Sequence, residues 1–195
     1  MVLDREIRFT QMKKYAVIWS LLMALLWSCS GSNESVSTDA IYFPLRDFLE
    51  VRTTELDSTY VVKEVTINGK RERMEKMMGP ADWLKELEIF MQADLNRPSL
   101  ASSYETTRSQ DYLIHELKSG EKAKVQKVVV RFEDSIVKEI SFHTKSENIF
   151  YSSETRGVIF ARSITGKIDN YVVDSQQKVV FMKPNRMVIR ASINN

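Results

Sequence analysis

Few residues in this sequence could carry chemistry, and one of them stands alone by type. Cys29 is the single cysteine of 195 residues. A lone thiol cannot close an intramolecular disulfide, so its chemistry is that of a nucleophile, a ligand or an acceptor of a covalent group. The chain has two histidines, His115 and His143, too few for a zinc site without carboxylates at unknown distances. Paired carboxylates occur at Glu86 with Glu88 and at Glu133 with Asp134. At those spacings they read as solvated helix-face or turn residues, because charged side chains are mostly exposed. His143 falls on the opposite strand parity from Ile140 and Phe142 and reads as an exposed structural histidine, and His115 between Ile114 and Glu116 has no stronger claim. Serines are plentiful, but no G-x-S-x-G elbow sets one at a strand-to-helix turn. The six glycines are scattered singly and make no phosphate-binding loop. No catalytic, cofactor-binding or metal-ligating set follows from these residues.

The surroundings of Cys29 are more informative. Lys13 and Lys14 precede the apolar run Tyr15 to Trp27, which gives way to Ser28, Cys29, Ser30, Gly31 and Ser32. A charged zone, an apolar zone and a small-residue zone, in that order, make the layout of a secretory signal. A helix of thirteen residues reaches only about 20 Å against a hydrocarbon core of about 30 Å, so the run is too short for a stable span. Two plainer readings compete: a buried core helix with an incidental cysteine, and an ordinary cleaved signal with a leftover thiol.

Leu26-Trp27-Ser28-Cys29 resembles the lipobox of bacterial lipoproteins, with leucine three positions before the cysteine and a small residue directly before it. Trp27 departs from the small residue usual in that class. The resemblance covers residues 12–32 and implies acylation of the Cys29 thiol, cleavage before it and acylation of the new amino terminus. Multiple acyl chains anchor stably where a single one does not. Ser30 stands where an inner-membrane-retained lipoprotein of a Gram-negative cell commonly has aspartate, so the resemblance implies an outer-membrane destination in the cell envelope, facing either the periplasm or the surface. Met12 opens the sequence that fits a signal, which makes it the expected start of translation, with a natural extension of the charged region as the alternative.

The organisation expected is a signal over residues 1–28, a lipidated tether over 29–40 and one domain over 41–195. Residues 1–28 contain Arg5, Arg8, Lys13 and Lys14 against Asp4 and Glu6, so the remainder carries 24 charges of each sign, from totals of 28 basic and 26 acidic. A formally neutral chain gives no electrostatic case for nucleic acid. The serine-rich stretch Ser30 to Ala40 has the composition of a flexible linker with an end-to-end distance of roughly 17–20 Å.

Within the domain, Leu45, Phe48, Leu49, Arg52 and Leu56 follow Pro44 at helical spacing. Asn68-Gly69 between β-branched and charged runs marks a hairpin. Gly79-Pro80 opens a second helix, with Leu84, Leu87 and Met91 as its apolar stripe, Trp83 and Phe90 beside it, and Pro98 as its end. From Tyr104 onward, short β-rich runs recur about every ten residues, including "NIFYSS" and "KVVFM", with "SGEK", "FEDS", "TGK", "DSQQK" and "KPN" as turns.

These elements predict an α+β fold: two helices in the N-terminal half, a β-hairpin between them, all packed on a curved antiparallel meander. The function this supports is a membrane-anchored binding or structural module, presenting its sheet or helix face to an envelope partner. A carrier of an apolar ligand in a lidded half-barrel and a hydrolase of envelope substrates are the alternatives. With no disulfide to lose, residues 41–195 expressed alone should melt as one cooperative unit with the same midpoint with and without reducing agent; a transition that needs detergent would place the apolar run inside the core.

Overall fold

The structure, a computed structural model, describes residues 41–56 and 58–194, all within one compact unit, Asp39–Asn195. The signal, Cys29 and the tether lie outside the described residues. The first helix, α1 (Leu45–Thr54), follows Pro44 as its spacing predicts and buries Leu45 and Leu49, with Leu56 buried just beyond its end. It leads into the hairpin of β1 (Thr59–Ile67) and β2 (Lys70–Met78). Asn68 (φ 49°) and Gly69 (φ 87°) both adopt positive φ, as a two-residue type I′ turn requires.

Two short helices follow, α2 (Pro80–Glu86) and α3 (Glu88–Met91), and then a 3₁₀ turn at Pro98–Leu100. The rest of the chain is strand: β3 (Tyr104–Arg108), β4 (Tyr112–Leu117), β5 (Val125–Glu133), β6 (Ile136–Asn148), β7 (Tyr151–Ala161), β8 (Ile168–Val179) and β9 (Asn185–Asn194). All nine strands form one antiparallel sheet in the order β2-β1-β9-β8-β7-β6-β5-β4-β3.

This corrects the expected α+β fold. The described residues are 55% strand and 16% helix, so the architecture among them is a nine-stranded sheet with three small helices, not a balanced pair of layers. The β1–β2 hairpin is not a separate element, because β9 pairs with β1 from Tyr60↔Asn194 to Ile67↔Met187. The single second helix is interrupted at Leu87, whose backbone (φ −90°, ψ 1°) leaves the helical region. Leu84, expected in the buried stripe, is 39% exposed, while Trp83, Leu87 and Phe90 are fully buried. β3 has only Tyr104 buried and so lacks the alternation that marks a half-buried strand. The runs on either side of two expected boundaries fuse into the long strands β7 and β8, the latter passing through "DSQQK".

One face of the sheet carries the core in successive cross-strand rows. Ala191, Tyr171, Ile159, Ile140, Val130 and Leu113 are aligned by register across six strands, and Ile189, Val173, Gly157, Phe142, Val128 and His115 form the next row. Phe90 meets this face edge-on, its ring 5.2 Å from that of Phe142 and 6.0 Å from that of Tyr171, the geometry that aromatic quadrupoles favour. Gly157 makes the contact possible: a Cβ there would stand 2.3 Å from Phe142 Cε1 and 2.9 Å from Phe90 Cε1. The open edges are protected by composition and length. β2 (KRERMEKMM) is exposed along all but its last residue, and β3 is five residues long, devices that discourage edge-to-edge pairing.

Two outcomes follow. Leu87→Ala should cost about 2–5 kcal/mol in denaturant melts. Gly157→Ala should cost about 1–3 kcal/mol by overpacking, and part of that loss should return in the Gly157→Ala/Phe142→Leu double variant, where the nearer of the two clashing rings is gone; additive losses would show that the crowding is relieved elsewhere.

Candidate functional site

The outer face of the sheet, opposite the helices, is where the register assembles a site. Val129 in β5, Ser141 in β6, Val158 in β7 and Val172 in β8 are consecutive partners in one cross-strand row. Ser141 is the small member between valines. The row is therefore indented rather than flat, and an open groove of about 320 Å³ runs along it. Its wall is almost wholly apolar.

The next outer row is polar: Lys127, His143, Arg156 and Asp174 are partners in turn. Glu154 binds both neighbours, accepting from Arg156 Nη2 at 2.6 Å and lying 3.0 Å from His143 Nε2. Arg186 grips Asp174 through Nε and Nη2 at 3.1 and 2.6 Å, which holds the Asp174 carboxyl below the usual carboxylate range. An apolar trough with one rim of fixed charge pairs can seat an extended apolar segment and orient its polar end.

The residues singled out by type are dispersed. Cys29 lies outside the described residues. His143 is half-buried and serves the groove rim rather than standing free. Glu133 reaches the buried Lys138 at 3.5 Å, Asp134 occupies a hairpin turn at φ 50°, and Glu88 pairs with Arg46 at 3.6 Å. Among the described residues no group of three or more His, Cys, Asp or Glu is placed to hold a metal ion. No protein family, curated protein or solved structure matches the chain.

Two polar assemblies lay beyond sequence reasoning. Glu86, at the interruption between α2 and α3, accepts from Lys63 Nζ at 2.5 Å and from the Tyr171 hydroxyl. Burial and the adjacent carboxylate drive the Tyr171 pKa far upward, so its proton stays in place as the donor. The second is His115, which is 1% exposed. Its Nε2 accepts the Phe43 N–H at 3.1 Å, which leaves the ring proton on Nδ1 to donate to Thr106 Oγ1 at 2.9 Å. Both depend on long-range register, and the only signal in sequence was His115 on an apolar strand at the parity of Leu113.

Burial, with a smaller push from Arg108, lowers the His115 pKa from 6.5 to about 4. The unfolded chain therefore binds this proton more readily than the folded one. Stability from this group is complete above pH 6.5 and falls as pH drops from about 6.5 toward 4, by roughly 3 kcal/mol at most. Denaturant melts across that window should show the loss, and His115→Gln, which keeps an acceptor for Phe43, should flatten it. An unchanged slope in that variant would assign the acid sensitivity to other groups.

Proposed function

We propose that the protein is an envelope lipoprotein, held at the outer membrane by acyl chains on Cys29, whose domain acts as a binding module through the outer face of its sheet. The observation that carries this reading is the groove over Val129, Ser141, Val158 and Val172. A half-buried apolar row at the centre of an outer sheet face has a reason to exist if something covers it. The helix face offers no comparable surface, since Trp83, Leu87, Phe90 and Met91 are spent on the core.

The groove also favours what kind of partner fits. Its length runs across the strands and its open side admits a side chain or an acyl tail without threading, whereas a carrier that hides its cargo needs an enclosed cavity. Hydrolysis has the least support, for Arg156 and Asp174 on the groove rim are held in ion pairs with Glu154 and Arg186.

Two experiments separate the anchor from the module. Cys29→Ala should abolish incorporation of labelled palmitate and move the protein out of the membrane fraction; persistence of label would end the lipobox reading. A photo-crosslinking residue at Val158 should give a discrete adduct in intact cells that is lost when Val172→Asp is added. A saturable, Val172-dependent response to a fluorescent fatty-acid probe would instead favour an apolar small ligand, and neither signal would sink the groove as a site.

A further inference from the structure

We propose that the paired tips of the β6–β7 and β8–β9 hairpins insert into an anionic lipid surface. The register shows that these two hairpins outrun the rest of the sheet. Thr144, Thr155, Ser175 and Met187 align with Ile67 and Lys70, at the turn that ends β1 and β2. Beyond that level only β6, β7, β8 and β9 continue, for about four more residues on β6 to β8, so a four-stranded tongue projects on the order of 13 Å. Its two turns are tied together by the Val180 N–H donating to the Phe150 carbonyl at 2.9 Å.

The tips carry what a soluble turn avoids. Ile149 is 82% exposed, Phe150 65%, Met182 66%, and Phe181 is as exposed as an isolated residue. Phe181 also holds φ 66°, a conformation that favours glycine or asparagine over an aromatic side chain. Neither local backbone preference nor core packing accounts for phenylalanine at that position. Adjacent turns with two aromatic and two further large apolar side chains in solvent make one patch, and a bilayer interface accommodates such residues.

Charge decides what kind of apolar surface fits. The four segments that end the sheet on this side, residues 67–71, 118–124, 145–154 and 176–186, hold nine basic side chains against the acidic Glu121, Glu147 and Glu154. The whole of residues 41–195 holds 24 against 22, so the rest of the domain is net acidic by four and the positive charge is concentrated here. Lys178 and Lys183 flank the β8–β9 tip, are exposed, and pair with no carboxylate among the described residues. An apolar tip in a basic collar complements acyl chains beneath anionic headgroups. The inference goes beyond the groove and needs no acyl chain on Cys29.

The test uses the full chain carrying Cys29→Ser, with Ile149→Cys as the single labelling position for an environment-sensitive fluorophore. A control carries the label at Ile164→Cys, in the β7–β8 connection at the opposite end and 92% exposed. On vesicles of phosphatidylcholine with phosphatidylglycerol, the Ile149 label should shift to the blue and be quenched by lipids brominated in their chains, while the Ile164 label stays water-like. Phosphatidylcholine alone, or Lys178→Ala with Lys183→Ala, should lower the shifted fraction on the order of tenfold. Phe181→Asn with Met182→Ser, which suits the positive φ and leaves the core untouched, should remove the shift with circular dichroism unchanged. An Ile149 label as water-like as the Ile164 control on every vesicle would overturn the proposal. So would a blue shift that grows with protein concentration without lipid, which would assign the tips to a second copy of the chain.

Discussion

The pairing of β9 with β1 is the constraint on which the rest of the fold depends. It places the first hairpin at one edge of the sheet and leaves the meander to start at the other, with β2 and β3 eight interstrand spacings apart. At about 4.8 Å each, the chain between Met78 and Tyr104 must cover on the order of 40 Å. It does so across one face, and the helices α2 and α3 are part of that crossing. Trp83, Leu87, Phe90 and Met91 are buried because the crossing lays them on the sheet. The same closure makes folding non-local, since no strand of the meander completes the sheet until the last one meets the first.

Once one face is consumed by the crossing segment, the other is free, and the alternation of strand side chains decides what it shows. Gly157 belongs to the consumed face, where its missing Cβ admits the Phe142 and Phe90 rings. Its neighbour Val158 points the other way, into the outer row with Ser141 and Val172. A substitution at Gly157 therefore reports on packing, and one at Val158 on the groove.

Local signals in the sequence were legible wherever one residue type forces one backbone geometry. Pro44 and Pro80 mark helix starts, Asn68-Gly69 marks a turn, and the alternation of Val128, Val130 and Phe132 marks a strand. What could not be read was which strands are neighbours. The groove is a cross-strand row built from four strands, and its members have ordinary environments in any one of them. His115 and Glu86 were unreadable for the same reason, since their partners stand 72 and 85 positions away. The acylation reading of Cys29 rests on its own local pattern and stands apart from this geometry.

The misread segments have a further lesson. "NIFYSS" and "KVVFM" have the composition of strands, because apolar residues in a β-rich region normally pair and pack. In the structure their apolar centres are turns instead, and the polar "DSQQK" that resembled a turn is ladder. Composition and structure disagree where Phe150 and Phe181 stand in solvent, and natural sequences concentrate such disagreements at functional sites. Polar side chains at these tips would keep the turns and remove the exposed apolar surface, with no loss to the core. The tips are apolar all the same, and the surrounding turns hold the domain's excess of positive charge. A surface that is costly in water and basic around its margin is explained by an environment that is apolar and bordered by negative charge, which locates the reason for the sequence outside the fold itself.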